Sequence, residues 1–137
     1  MPIGLTDGDS FRLLSRALDL RQASHERVAG NLAHQDTPGY KARHLEFQDA
    51  LKAAVGLAST LQPVGTHPGH MGVGSTSIDQ VSGKEKVVRQ GGGRDGNTVS
   101  PEDEMARMAE NALMYNTATQ IIGAKFRGLR NVIREGR

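Results

Sequence analysis

The sequence predicts a mainly α-helical protein with a long helix near each terminus, and we expect the two helices to pair as a coiled coil. Apolar residues recur every three or four positions near both ends of the chain, which is the spacing that lines one face of a helix. None of the five aromatic residues lies between residues 48 and 114. We therefore expect two helices joined by a turn, an extended arm and a glycine-rich flexible loop that holds at most a short β-hairpin.

Composition limits the classes of protein that the chain could belong to. Its 137 residues suit one structural unit over 1–137. A net charge of +2 is too small to indicate nucleic-acid binding by itself, because phosphate contacts need basic residues gathered on one face. The absence of cysteine excludes disulfides and thiolate metal sites. No cleaved signal peptide and no membrane-spanning segment are expected, because no apolar run is long enough.

The first predicted helix covers residues 9–34. Its apolar stripe is interrupted by two polar residues. We expect Arg21 to snorkel or to pair with an acidic residue of a neighbour, and His25 to be a satisfied interface histidine. A free helix with such a stripe is marginal in water, so the helix needs a partner. The residues expected to make that contact are Phe11, Leu14, Leu18, Val28 and Leu32.

A turn and an arm are predicted for residues 35–55. In the run Asp36-Thr37-Pro38-Gly39, proline presets the dihedral of the second turn position and glycine accepts the positive φ of the third. The residue before proline is pushed out of the helical region, so the first helix has to stop. After Tyr40, the segment from Leu45 onward could be extended or helical, and the pattern leaves both open.

Residues 56–97 are predicted to form a flexible loop. Ten of the seventeen glycines fall in this segment, which cannot bury enough apolar surface to offset the entropy of ordering it. The strand-like patch within it is Lys86-Val87-Val88-Arg89. His67 and His70 have metal-ligand spacing but no acidic or cysteine neighbour, so we predict no metal and no cofactor.

The second predicted helix covers residues 100–135. Ser100 is a favourable N-cap and Pro101 suits the first helical position, while acidic residues begin the helix and basic residues end it, as its dipole favours. The apolar register continues for four heptads, which indicates coiled-coil packing within the chain or between subunits. The residues expected to pack are Met105, Met108, Tyr115, Ile122, Phe126, Leu129 and Ile133.

The segment N-L-A-H-Q-D-T-P-G-Y-K-A-R, residues 31–43, resembles the signature of the bacterial flagellar axial proteins, the rod, hook and hook-associated subunits, usually written A-N-x-x-T-P-G-Y. His34 stands where the family more often has asparagine. D-G-N-T-V at 95–99 and A-E-N-A-L-M-Y at 109–115 resemble the closing segment of the proximal-rod members. The family turn motif then maps to Asn31, Asp36, Thr37, Pro38, Gly39 and Tyr40.

The resemblance implies a structural subunit of the proximal rod, whose terminal helices form the inner coiled-coil layer of a helical tube. It implies export without a cleaved signal to the periplasmic rod of the basal body. The implied partners are copies of the chain, other rod subunits, a rod-base adaptor, and membrane-ring or export-gate proteins. Enzymatic activity, nucleic-acid binding and membrane insertion are not expected. The alternatives are another rod subunit of the family, a cytoplasmic coiled-coil export adaptor, and a small nucleic-acid-binding helical protein.

Overall fold

The computed structural model describes residues 7–59, 78–90 and 94–135. A long helix lies near each end of the chain, and a small two-stranded sheet lies between them in sequence. The predicted mainly α-helical fold class is confirmed. In chain order the elements are helix α1 (Asp7–Ala33), strand β1 (Arg43–Glu46), helix α2 (Gln48–Ser59), a short 3₁₀ turn (Ile78–Gln80), strand β2 (Lys84–Val87) and helix α3 (Pro101–Glu135).

The helices α1 and α3 run antiparallel. Near the start of α1, the ring of Phe11 lies 4.8 Å from that of Phe126 between centroids. Near the end of α1, Asn31 contacts Glu104 at the start of α3. With 35 residues, α3 is about 52 Å long.

A type II turn follows α1 and has the dihedral that the proline–glycine pair predicts. The amide of Tyr40 donates to the carbonyl of Thr37 over 3.2 Å, which closes a four-residue turn with Pro38 second and Gly39 third. Gly39 has a φ of 72°, where an L side chain would be strained. The chain therefore leaves α1 in a direction set by two adjacent residues.

The segment after the turn is first extended and then helical. Leu45 lies in β1, and α2 begins at Gln48, directly after Phe47. Strand β1 pairs antiparallel with β2, so that Arg43 lies opposite Val87 and Glu46 opposite Lys84. The partner of the arm is thus a strand from far along the chain.

Parts of the segment 56–97, for which a flexible loop is expected, have regular structure. The first four of these residues close α2, and the 3₁₀ turn and β2 are ordered against α1 and β1. Glycine content does not reveal this, because the ordering comes from backbone pairing with a distant strand and from Val81, which is 2% exposed. The remaining parts of that prediction, at 60–77 and 91–93, lie outside the described residues.

The apolar core lies where these segments meet on α1. Leu20, Phe47, Ala54 and Val81 come from α1, the arm, α2 and the middle segment, and all four are buried. Half-buried residues surround them, namely Leu13, Leu45, Ala50 and Leu51. The core therefore fixes the arm on one side of α1 and does not extend along the α1–α3 contact.

Candidate assembly surfaces

The buried line of α3 differs from the predicted apolar stripe. Glu104, Asn111 and Ala118 are the buried residues of this helix, and they recur every seven positions, as one line along a paired helix does. Two of the three are polar. The hydropathy pattern missed them because polar side chains occupy the contact only where the partner offers hydrogen bonds, which a single segment does not show.

Asn31 is the centre of the polar contact, and its exposed fraction is 0%. Its amide nitrogen donates to the carbonyl of Arg43 over 2.9 Å and to Oε2 of Glu104 over 3.1 Å. Its amide oxygen accepts from the backbone N–H of Arg43 over 3.0 Å and from the hydroxyl of Tyr40 over 3.5 Å. One side chain therefore joins α1, the arm and α3.

Glu104 completes this contact from the first turn of α3. Its carboxylate is 2% exposed, and Oε1 lies 2.6 Å from Nε2 of His44 on β1. Among the described residues, every buried side-chain nitrogen or oxygen has a hydrogen-bond partner. Because buried polar groups are costly unless they are paired, the network favours one register of the two helices.

Asn97, which the sequence did not single out, connects the closing segment to the end of α1. It is 5% exposed, and its amide nitrogen lies within 3.0 Å of the carbonyl oxygens of His34, Gln35 and Thr37. Its amide oxygen accepts from the N–H of Val99 over 2.8 Å. These bonds join the closing segment to carbonyls at the end of α1 and in the turn, two of which, those of His34 and Thr37, also accept from backbone N–H groups. The sequence indicated this segment through the family resemblance of residues 95–99, and not through the chemistry of Asn97.

Further contacts hold the turn in place. The rings of His34 and Tyr40 stack with centroids 4.6 Å apart. The amide of Gly39 donates to the carbonyl of Asp95, and that of Thr98 to the carbonyl of Tyr40, each over 3.0 Å. Within the predicted turn motif, Asp36 and Pro38 are exposed. The motif thus has an inner side that binds the closing segment and an outer side that faces solvent.

Arg21 lies midway along the helix contact. Its guanidinium lies 3.4 Å from Oδ1 of Asn111 and 5.6 Å from the centre of the Phe47 ring. Asn111 in turn donates to the carbonyl of Arg21 over 2.8 Å. Burial lowers the pKa of the Arg21 guanidinium from its ordinary value, and Glu110 opposes that shift. The guanidinium of Arg21 thus lies against an amide and an aromatic ring of the same chain.

The predicted packing residues of α1 all face the interior to some degree. Val28 is buried at 3% exposure, and the others are half-buried, namely Phe11, Leu14, Leu18 and Leu32. On α3, Met108 and Ile122 are half-buried. Phe11 and Phe126 form the one ring pair between the helices among the described residues.

Most of the apolar surface of α3 is exposed. We call its exposed large apolar residues together the α3 apolar face. At about 3.6 residues per turn they lie on more than one side of the helix, and five of them are predicted packing residues. Exposed apolar patches of this kind mark interaction surfaces in folded proteins. Its residues are Met105, Leu113, Met114, Tyr115, Ile121, Phe126, Leu129, Val132 and Ile133.

Neither a membrane-spanning helix nor a metal site occurs in the part of the chain that the structure describes. No helix there is apolar enough over sufficient length to cross a membrane. No group of three or more histidine, cysteine or acidic residues there could hold a metal ion. His67 and His70 lie outside the described residues.

Comparison with known proteins gives a consistent set of relatives. The chain is 33% identical to the flagellar basal body rod protein FlgB of Salmonella typhimurium, with 93% of this chain and 94% of the relative covered. It is 28% identical to FlgB of Escherichia coli, with 93% and 94% covered, and 27% identical to FlgB of Bacillus subtilis, with 90% and 92% covered. No protein-family model matches the chain.

Proposed function

Because this chain belongs to the FlgB family of flagellar basal body rod proteins, we propose that it is a structural subunit of the proximal rod of the bacterial flagellum. The α3 apolar face is the observation that carries the proposal. It exposes nine large apolar residues, more than a chain working alone is expected to leave in water. A subunit buried among neighbours covers such a face on assembly.

The two helices supply the assembly surface, and the arm fixes their register. In this proposal the antiparallel pair of α1 and α3 forms the inner layer of a helical tube, which transmits rotation. The small core and the Asn31–Glu104 network hold the arm against the pair. The role is mechanical, so no catalytic residue and no cofactor is assigned to it.

The proposed location is the periplasmic rod of the basal body, which the chain reaches through flagellar export without a cleaved signal peptide. The proposed partners are copies of the chain, other rod subunits, the rod-base adaptor, and membrane-ring or export-gate proteins. The fold supports this set because its exposed surface is a long helix face, which suits contacts with other helices. Nucleic acid is not in this set, because the net charge of +2 is small and Phe126 is the one aromatic residue among the basic residues of 125–134.

The test is a gene deletion in the host, with swimming scored on soft agar and basal bodies imaged by electron microscopy. We expect non-motile cells that have membrane rings but no rod, and we expect plasmid-borne wild-type chain to restore both rod and swimming. Complete rods in the deletion strain would refute the proposal. In that case the export-adaptor alternative would be tested by asking whether the chain stays inside the cell.

A further inference from the structure

The two ends of α3 carry opposite charge. At the end next to the turn, four exposed acidic residues lie near three exposed basic ones, Lys41, Arg94 and Arg107. We call this surface the acidic end; its acids are Asp36, Asp95, Glu102 and Asp103. At the other end, α3 carries four basic residues and one acid, Glu135, and the start of α1, which carries Asp9, packs beside them. We call that surface the basic end, and it consists of Lys125, Arg127, Arg130 and Arg134.

Backbone contacts hold the acidic end together, although its residues come from two parts of the chain. The carbonyl of Asp95 accepts from Gly39 over 3.0 Å, and Asn97 reaches the carbonyl of Gln35, next to Asp36. Glu102 and Asp103 follow in the first turn of α3. The acidic charge therefore belongs to a rigid surface and not to a single segment.

The helix dipole does not account for the whole basic end. Cations stabilise the last turn of a helix, and the effect falls off beyond it. Arg134 is the basic residue of the last turn, whereas Arg127 and Arg130 lie one to two turns earlier. The dipole therefore does not explain Arg127 and Arg130, and we look for a partner outside the helix that would.

An apolar strip accompanies the arginines. Phe126 is 58%, Leu129 39% and Ile133 68% exposed, and each is followed directly by an arginine. A helix face with an apolar line beside a basic line resembles a coiled-coil seam, whose flanking charges select an oppositely charged partner. The basic end therefore fits an acidic surface that also offers apolar contact.

Two surfaces of the chain carry acidic residues and could bind the basic end. The groove of about 870 Å³ between the sheet, α1 and α3 is lined by both signs of charge, with Arg21, Lys84, Lys86 and Arg107 against Glu46, Asp49 and Glu110. The acidic end has the complementary sign, and Met105 beside it is 55% exposed. Charge and apolar surface together favour the acidic end.

The contact has to join two molecules. Met105 and Ile133 are 28 residues apart on one helix, which places them about 42 Å from each other. One chain cannot bring its own ends together without breaking α3. A second copy of the chain has the same acidic end and can therefore supply the complementary surface.

We propose that the basic end of one copy, from Phe126 to Arg134, binds the acidic end of a second copy around Met105, Glu102 and Asp103. The proposal rests on the proposed rod function. Because the two surfaces differ, the contact is heterologous and can continue from copy to copy in an open helical array. The arginine–carboxylate pairs select the partner, and the apolar strip is buried between them.

Disulfide trapping in assembled rods tests the contact, since the chain has no cysteine of its own. The double variant Met105→Cys/Ile133→Cys is expressed in the deletion strain, basal bodies are purified and oxidised, and the products are separated on a non-reducing gel. We expect a ladder of dimers and larger multiples of this chain. The matched control is Arg89→Cys/Ile133→Cys, because Arg89 is exposed on another surface, and it is expected to stay monomeric.

The possible results separate the contact from the function. If the double variant swims but gives no ladder, or no more than the control does, the contact is wrong while the rod function stands. A product joining this chain to a different protein would also overturn the second-copy assignment. If the wild-type chain fails to restore rods, the proposed function fails first.

Charge exchange between copies gives a second measurement that does not depend on thiol geometry. Arg127→Glu/Arg130→Glu and Glu102→Lys/Asp103→Lys are each expected to reduce swimming at least tenfold when expressed alone. Co-expression is expected to restore it, because the reversed ends attract each other again. The exposed pair Asp19→Lys/Glu26→Lys on α1 controls for net charge, and circular dichroism confirms folding. Swimming by both single-end variants, or no restoration on co-expression, would overturn the proposal.

Discussion

His44 and Glu104 form the closest polar contact between the arm and α3, with Nε2 of His44 2.6 Å from Oε1 of Glu104. The histidine side chain is 15% exposed and the carboxylate 2%, so the contact is shielded from solvent. The other carboxylate oxygen accepts from Asn31. One side chain of α3 thus holds both the arm and α1, and removal of its carboxylate is expected to weaken the whole junction.

Glu104→Ala is expected to lower the free energy of unfolding by about 2–4 kcal/mol, because it leaves His44 without this partner and removes buried volume. Glu104→Gln keeps the shape and one acceptor, and it is expected to cost less than the alanine variant. Urea unfolding followed by circular dichroism measures both. Glu102→Ala, two residues before Glu104 and exposed, is the control and is expected to change stability by less than about 1 kcal/mol. Equal effects at the two positions would contradict the assigned network.

Asn97 gives a prediction that separates hydrogen bonding from size. Its amide nitrogen donates to three carbonyl groups around the end of α1. Asn97→Asp has nearly the same shape but directs a negative oxygen at those carbonyls, so it is expected to destabilise the fold more than Asn97→Ala does. We expect about 1–3 kcal/mol for alanine. Thermal unfolding above pH 6 checks the order, and a more stable aspartate variant would show that the amide is not oriented as described.

Gly83 is required for close packing and not for a special backbone angle. A Cβ atom at this position would lie 2.5 Å from Cγ of Leu45, so Leu45 would have to leave its place beside the core. Gly83→Ala is expected to cost about 1–3 kcal/mol. Gly30→Ala is the matched control, because nothing lies within 4 Å of its added Cβ and alanine favours a helix by up to about 1 kcal/mol. Chemical denaturation should move the two midpoints in opposite directions.

The sequence predicted the two helices well because a stripe repeated over many residues is a strong local signal. It also predicted the turn, since Pro38 and Gly39 act through their own dihedrals. The pairing of β1 with β2 and the capping role of Asn97 could not be predicted, because each depends on residues that meet only after the chain has folded. The buried line at Glu104 and Asn111 was hidden for the same reason: its polar side chains suit a contact only opposite Asn31 and Arg21.

The division of α3 into a polar contact line and an exposed apolar face leads to the last prediction. Ile133 is 68% exposed, so Ile133→Asp removes no buried contact of the single chain and is expected to change the free energy of unfolding by less than about 0.5 kcal/mol. In the rod, by contrast, it would place a charge in an apolar interface, and swimming in the deletion strain should be lost. Lys52→Asp, at a side chain that is 77% exposed on α2, is the control and should swim. An Ile133→Asp variant that swims normally would show that this part of the face is not covered in the rod, whereas a large loss of stability in the purified chain would show that it packs within one molecule.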